Sequence, residues 1–266
     1  MPDTTSNGWS VHYETLGDRA RPPIVMILGL SHRLAHWGRL PELLAERLFI
    51  VTFDCRNIGE SERRDEAYTV IDEAGDVAAV MDAAGLPSAT IYGRSRGGML
   101  AQEFALTHPE RTSQLVLCGT SSRGPNSVGS TERVNAAMNF SPEMSRERIF
   151  GTQNEAMAAP GWRERDPAAF EDCLKVDLDA PPRRFAVERQ RAAVAEWSSF
   201  DRLSTISAPT LVLCGEDDGM VPPENSRQLA ASIHGAELQL IPQCGHLAML
   251  EQPETVARAI FDFLGV

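Results

Sequence analysis

Short apolar segments alternate along this chain with segments in which apolar residues recur every three or four positions. The apolar segments are mostly continuous and four or five residues long, which is typical of strands buried on both faces of a sheet; they cover residues 24–28, 49–53, 89–92, 115–118, 211–214 and 238–241. Segments with helical periodicity cover residues 36–48, 69–86, 97–108, 224–233 and 247–264. This alternation predicts an α/β fold, with a mostly parallel, doubly wound sheet and helices on both faces.

The alternation stops between residues 123 and 203, where no strand pattern occurs. Prolines that follow helix-starting residues or one another signal new helices there; they are Pro142 after Ser141, Pro167 after Asp166, and the pair Pro181 and Pro182. We interpret this insert as a helical cap over the carboxyl edge of the sheet, where open α/β sheets bind ligands. Residues 1–122 and 204–266 would then form the core. A helical subdomain without a role at a site is the alternative.

Composition narrows the class of protein. The chain has 266 residues, of which 42% are hydrophobic and 23% charged, as in ordinary globular proteins. Its net charge of -12 disfavours nucleic acid and anionic membranes as partners. The longest apolar run is too short to span a bilayer, and the first residues lack a signal-peptide pattern, so the cytoplasm is the expected location.

Cysteine and histidine spacing gives no sign of a metal site. The five cysteines form no C-x-x-C pair, so we expect reduced thiols rather than disulfides or a zinc site. His32 and His36 have the spacing of a helical metal pair, but no third ligand is near them in the sequence. We therefore predict no metal, and we expect both histidines to line a substrate pocket.

A candidate nucleophile follows the third apolar segment. That segment runs directly into Gly93-Arg94-Ser95-Arg96-Gly97, and a helical pattern begins at once. In such a G-x-S-x-G turn from strand to helix, the serine stands in a strained conformation with its hydroxyl exposed. The start of the helix behind it favours developing negative charge. We therefore predict that Ser95 is a nucleophile.

A serine hydroxyl needs a base, and the base needs an orienting carboxylate. Acidic residues 216–218 follow the fifth apolar segment, and His246 lies in the loop that follows the sixth. Because parallel strands end at one edge of a sheet, these groups can converge on Ser95. The chain order Ser, acid, His therefore predicts a proton-relaying cluster.

These motifs resemble the α/β-hydrolase fold family over nearly the whole chain, including the cap position and the closing Gly245-His246 before a helix. The resemblance implies that the cap follows the strand after the nucleophile helix. It assigns the acid to Asp218, with Asp217 as the alternative, and the oxyanion donors to the backbone N–H groups of Leu30 and Arg96.

A second family motif adds to the resemblance. The segment from Asp54 to Ser61 resembles the family's D-x-R-G-x-G-x-S turn, with Asn57 at its first glycine, and we expect it to be structural.

The two arginines beside Ser95 depart from the family pattern. Arg94 or Arg96 could hold a substrate carboxylate through paired hydrogen bonds. Alternatively, one or both could pair with an acidic residue such as Asp54 or Glu103. In the cap, Met138 and Met144 could line an apolar pocket or simply pack inside the cap.

The sequence therefore predicts a cofactor-independent serine hydrolase that cleaves a small ester or lactone as a monomer or homodimer. The substrate would be carboxylated if one of these arginines binds it. The branch it most resembles is that of enol-lactonases and small carboxylesterases. A carbon-carbon bond hydrolase of a vinylogous diketone, a cofactor-free peroxidase or perhydrolase, and a non-catalytic ligand-binding protein are alternatives on the same fold.

Overall fold

A computed structural model of the protein describes residues 3–141 and 143–266. Within them, eight strands form one sheet in the order β1-β2-β4-β3-β5-β6-β7-β8. In chain order, β1 to β8 are Asp3–Ser6, Trp9–Leu16, Pro23–Ile27, Phe49–Phe53, Ala89–Arg94, Thr112–Cys118, Thr210–Gly215 and Glu237–Ile241. The pairs that join β1 to β2 and β2 to β4 are antiparallel, and all others are parallel. The predicted α/β class is confirmed.

Alternate residues of the central strands enter two apolar cores, one on each face of the sheet. Val25 and Ile27 pack in one core and Ile24 and Met26 in the other. The first core is covered by helices α2 (Val70–Ala83), α3 (Arg96–Thr107) and α9 (Pro223–Ser232). The second is covered by α1 (Leu40–Ala45) and α11 (Pro253–Leu264). Burial on both faces explains why these strands are continuously apolar.

In the described part of the region predicted as the cap there are five α-helices; α4 to α8 are Glu132–Met138, Arg146–Met157, Trp162–Arg165, Pro167–Asp179 and Arg184–Ala195. Asp166 caps α7 by accepting the N–H of Ala169 at 3.0 Å, and Pro167 follows it, as the sequence predicted. Pro142, taken as a helix start, lies outside the described residues. Ser145 caps α5 instead, through the N–H of Arg148.

Several predicted elements need correction. The antiparallel strands β1 and β2 were missed, although Trp9, Val11 and Tyr13 alternate on the buried face of β2. The predicted helix 247–264 breaks into α10 (Ala248–Glu251) and α11 because Pro253 has no N–H to continue it.

The predicted helix 36–48 is likewise shorter. Gly38, at φ 58°, separates a single 3-10 turn, Leu34–Trp37, from α1. Strand β8 is an edge strand with exposed residues, not a strand buried on both faces.

The turn after β4 is structural, as expected. Asn57 has φ 70°, a conformation that asparagine tolerates best after glycine, which explains how it replaces the family's glycine. At Gly59 a Cβ atom would lie 1.9 Å from the Asp54 carboxylate, so this position must be glycine. That carboxylate accepts the N–H groups of Leu34 at 2.9 Å and Glu60 at 3.0 Å, and it thereby joins two loops at the carboxyl edge of the sheet.

No helix among the described residues has the length and apolar character that crossing a bilayer requires.

Candidate active site

Ser95 connects β5 to α3 in a sharp turn. Its φ of 55° and ψ of -122° lie where non-glycine residues rarely stand. The turn is held because the Ser95 N–H donates to the Cys118 carbonyl at 2.9 Å, while the Ser95 carbonyl accepts from Gly98 N–H at 2.9 Å and Thr120 Oγ1 at 2.7 Å. These bonds oppose the local strain and fix the direction of the hydroxyl.

The glycines of the motif are required by close packing. A Cβ atom at Gly93 would lie 2.3 Å from the Gly97 carbonyl oxygen, and one at Gly97 would lie 2.2 Å from the carbonyl oxygen of Ile27. Both distances are well inside van der Waals contact, so any side chain would open the turn. The glycines therefore keep Ser95 at its position over the sheet edge.

Two hydrogen bonds join Ser95 to the predicted base and acid. His246 Nε2 lies 3.0 Å from Ser95 Oγ, and His246 Nδ1 lies 2.7 Å from Asp218 Oδ2. Because a carboxylate only accepts, Nδ1 carries the proton and Nε2 is free to accept one from the serine. Asp218 and His246 are buried, whereas Ser95 is partly exposed. The arrangement can transfer a proton from the hydroxyl to the ring.

The neighbouring acid does not take this place. Asp218 is oriented by the N–H groups of Met220 at 2.9 Å and Val221 at 2.8 Å, which donate to its other oxygen. Asp217 is exposed. Of the two alternatives, the structure brings Asp218 to the histidine.

The electrostatics of His246 favour the neutral ring. Burial lowers the pKa of His246 most, the Asp218 carboxylate opposes this, and the cationic Arg94 lowers the pKa further. The imidazole is therefore neutral near pH 7, the form that a general base needs.

Glu251, which the sequence analysis missed, holds the loop around His246. Its carboxylate accepts the N–H groups of Gly245 at 3.0 Å and Leu247 at 3.1 Å, the two neighbours of the histidine. It also accepts the N–H of Ala159, in the cap, at 2.8 Å. Since these bonds go to backbone groups, no residue pattern announces them.

The backbone of His246 itself is also bound at both ends. Its N–H donates to the carbonyl of Met157 at 2.8 Å, and its carbonyl accepts from Arg94 Nη2 at 2.8 Å. The cap thus contacts the histidine loop through Met157 and through Ala159.

The predicted oxyanion donors lie on either side of Ser95. The loop of Leu30 passes directly against the nucleophile, because a Cβ atom at Gly29 would lie 3.0 Å from Ser95 Cβ. Arg96 is the first residue of α3. Neither the Leu30 nor the Arg96 N–H has an acceptor among the described residues. Both amides can therefore donate to a substrate oxygen.

Arg96 does not point a free guanidinium at the site. It pairs with the buried Glu73 of α2, and its Nε donates to the carbonyl of Gln190 at 3.2 Å. The acidic partners considered from the sequence are wrong. Asp54 binds backbone N–H groups, and Glu103 pairs with Arg202 at 2.7 Å.

Arg94 is equally buried but has no carboxylate within ion-pair distance in the described part of the chain. Besides the carbonyl of His246, it contacts His32, whose Nδ1 lies 3.1 Å from Arg94 Nη1. Burial lowers the pKa of Arg94. Because its guanidinium donates to the His246 carbonyl, the Arg94 charge lies next to the histidine loop.

The other residues predicted for a pocket are dispersed. His32 lies beside Arg94 and stacks on His36 at 4.4 Å. His36 is buried against Asp177 of the cap at 3.0 Å, so it joins core to cap rather than lining a pocket at Ser95. Met138 and Met144 are partly buried and belong to neither apolar core of the described residues. Their contact with substrate stays a prediction.

Residues 22–253 match a family model described as alpha/beta hydrolase fold. The chain therefore belongs to the α/β-hydrolase fold family, and it is a hydrolase. Its relatives include RutD of Variovorax paradoxus (strain S110), provisionally named a carbamate hydrolase, which is 29% identical over 96% of each chain.

Another relative is 3-oxoadipate enol-lactonase 2 of Acinetobacter baylyi, 26% identical over 96% of this chain and 93% of its own. Among solved structures, the esterase RhEst1 from Rhodococcus sp. ECU1013 superposes with a TM-score of 0.85 and 26% identity. That match covers 99% of this chain and 98% of the esterase.

Proposed function

We propose that this protein is a serine hydrolase that cleaves small carboxylic esters or lactones through an acyl-enzyme. The observation that carries the proposal is the pair of hydrogen bonds, 3.0 Å and 2.7 Å long, that link Ser95 to Asp218 through His246. That geometry is the one a serine needs to become a nucleophile at neutral pH.

In the first half-reaction, Ser95 Oγ attacks the carbonyl carbon while His246 Nε2 takes the hydroxyl proton. Asp218 keeps the ring in the required tautomer and stabilises the imidazolium. The negative charge that develops on the carbonyl oxygen is met by the N–H groups of Leu30 and Arg96, each worth about 3 to 4 kcal/mol in comparable sites.

His246 then returns the proton to the leaving oxygen, and the C–O bond breaks to leave an acyl-Ser95 ester. In the second half-reaction, His246 takes a proton from water, and the water oxygen attacks the ester carbonyl. The bond from the acyl carbon to Ser95 Oγ then breaks, His246 returns the proton to Oγ, and the acid is released. An ester or lactone oxygen is a good leaving group once His246 has protonated it.

The relatives support the substrate class. An esterase matches this chain in structure and an enol-lactonase matches it in sequence, each over nearly the whole chain. Esters and lactones have in common an acyl carbon-oxygen bond, which this mechanism breaks without a cofactor.

The test is a panel of p-nitrophenyl esters and lactones, with Ser95→Ala and a fluorophosphonate label. We expect the wild type to turn over short acyl esters and to be labelled at Ser95, and Ser95→Ala to lose at least about 10³-fold in kcat. Ser113→Ala, at an exposed serine on β6, is the matched control. Unlabelled wild type, or an alanine variant that still hydrolyses the panel, would refute the proposal.

A further inference from the structure

A cluster of buried polar atoms without hydrogen-bond partners lies behind the nucleophile. Among the described residues, it comprises Asn57 Nδ2, the Tyr68 hydroxyl, Glu73 Oε1, Arg96 Nη1 and Gln190 Nε2. All five side chains are at least nine-tenths buried. Buried polar groups are normally satisfied, so these five atoms mark a polar region that a ligand group or a water molecule could satisfy.

Contacts tie the members together. Arg96 pairs with Glu73 and donates through Nε to the Gln190 carbonyl at 3.2 Å. Burial and the Glu73 carboxylate raise the pKa of Tyr68, while Arg96 and the Asn57 side chain lower it, so the Tyr68 hydroxyl lies near all three residues. Asn57 lines, with Ser31, a cavity of about 300 Å³ between the core and the cap.

The cluster is close to the reacting atoms and on a defined side of them. Arg96 directly follows Ser95, and Gln190 Oε1 accepts the N–H of Ser31, the neighbour of Leu30, at 2.8 Å. Asn57 follows β4, and Glu73 belongs to α2, whereas His246 and Asp218 follow β8 and β7 on the other side of β5.

This arrangement assigns the cluster to one half of the substrate. His246 must protonate the leaving oxygen, so the leaving group lies on the histidine side. The acyl chain then extends to the opposite side, toward the cluster.

The balance of donors and acceptors defines the ligand. The orphaned atoms offer donors from Asn57, Tyr68, Arg96 and Gln190 and one fixed acceptor, the Glu73 oxygen. The charges of Arg96 and Glu73 cancel. A hydroxyl group can accept from the donors and donate to Glu73, a ketone can only accept, and a carboxylate would face the Glu73 charge.

We propose that this cluster is an acyl subsite that binds a neutral hydroxyl group on the acyl chain of the ester or lactone. This inference rests on the proposed function. The subsite contributes specificity, because a substrate without the hydroxyl leaves its polar atoms unpaired. It also reverses the expectation that Arg96 binds a carboxylate.

The experiment compares kcat/KM for methyl esters by following acid release at constant pH. The esters are butanoate, 3-hydroxybutanoate, 3-oxobutanoate and the monomethyl ester of succinate, with hexanoate and 6-hydroxyhexanoate as a longer pair. We expect kcat/KM of the hydroxy ester to exceed that of its unsubstituted partner at least about tenfold in one of the two pairs, the four-carbon or the six-carbon acyl chain. The oxo ester should be intermediate and the succinate ester lowest.

Tyr68→Phe removes one orphaned hydroxyl and keeps the ring, which packs edge-on against Trp9 at 5.7 Å. We expect the ratio of hydroxy to unsubstituted ester to fall at least about fivefold, with no loss in melting temperature. Tyr13→Phe is the control, since its hydroxyl lies near the carbonyl of Ala83, away from the cluster. It should keep the wild-type ratio.

The outcomes separate the two proposals. Esters hydrolysed by the wild type but not by Ser95→Ala, with equal rates for hydroxy and unsubstituted esters, would overturn the subsite and leave the serine hydrolase standing. An unchanged ratio in Tyr68→Phe, together with a lower melting temperature, would show that the hydroxyl has a structural role, which also overturns the subsite. If no ester or lactone is cleaved, the function itself fails.

Discussion

Arg94 and Arg96 flank the nucleophile and are equally buried, yet their surroundings are electrostatic opposites. Burial lowers the pKa of both guanidinium groups, but Glu73 reverses this at Arg96 and raises its pKa, whereas burial prevails at Arg94. On the α2 side of Ser95, charge is therefore neutralised by a side chain. On the histidine side, Arg94 has no ion-pair contact among the described residues and is held by the His246 carbonyl and the His32 ring.

This difference assigns the two sides different work. A side whose cation is neutralised by a carboxylate suits recognition of an uncharged group. A side whose cation has no ion-pair partner suits control of a titrating base, because the charge acts on His246 at close range. Both residues are arginines, so their different roles follow from the carboxylate partner that Arg96 has and Arg94 lacks.

On the histidine side, we expect the largest loss of activity from a substitution of Asp218. We expect Asp218→Asn to lower kcat about 10⁴-fold, the loss seen for this change in serine proteases, because the amide favours the wrong imidazole tautomer. Ester kinetics measure the effect. The control is Asp217→Asn, at the exposed neighbour, and a comparable loss there would mean that the acid has been misassigned.

The α2 side should instead respond in stability. Arg96→Met leaves Glu73 buried without a counter-charge, so we expect a loss of about 3–5 kcal/mol in the free energy of unfolding, measured in denaturant. The double variant Glu73→Met with Arg96→Met should recover much of it, since a well-packed apolar pair removes the desolvation cost. A double variant as unstable as the single one would contradict this account.

Glu251 tests the backbone attachment of the histidine side, with a smaller expected effect. In Glu251→Gln the amide NH₂ cannot accept, so at least one of the three N–H groups of Ala159, Gly245 and Leu247 loses its partner. We expect kcat to fall about tenfold with KM nearly unchanged, because the loop is misplaced rather than the substrate site. Glu254→Gln, exposed on α11, should keep the wild-type kcat.

Sequence reasoning located the features that local rules determine. The glycine spacing around Ser95 and the apolar segments predicted the elbow and the sheet. The loops after β7 and β8 predicted the acidic residues 216–218 and His246, and the family resemblance selected Asp218 among the acids. Sequence reasoning did not find Glu73 as the partner of Arg96, because α2 meets the elbow through tertiary packing with no fixed spacing. Glu251 escaped notice because it binds backbone N–H groups, and any residue type supplies those.

Arg94→Met tests whether the Arg94 charge controls the protonation of His246. The measurement is the pH dependence of kcat/KM rather than the rate at neutral pH. Catalysis needs neutral His246, and the Arg94 charge lowers its pKa, so removing the charge raises that pKa toward its ordinary value. The acid limb of kcat/KM should therefore move to higher pH. Arg94→Lys retains the charge, and its limb should stay close to that of the wild type. If both variants shift alike, the hydrogen bond to the His246 carbonyl matters and the charge does not. If the acid limb shifts in neither variant, the Arg94 charge does not affect His246, and the two arginines differ only in their partners.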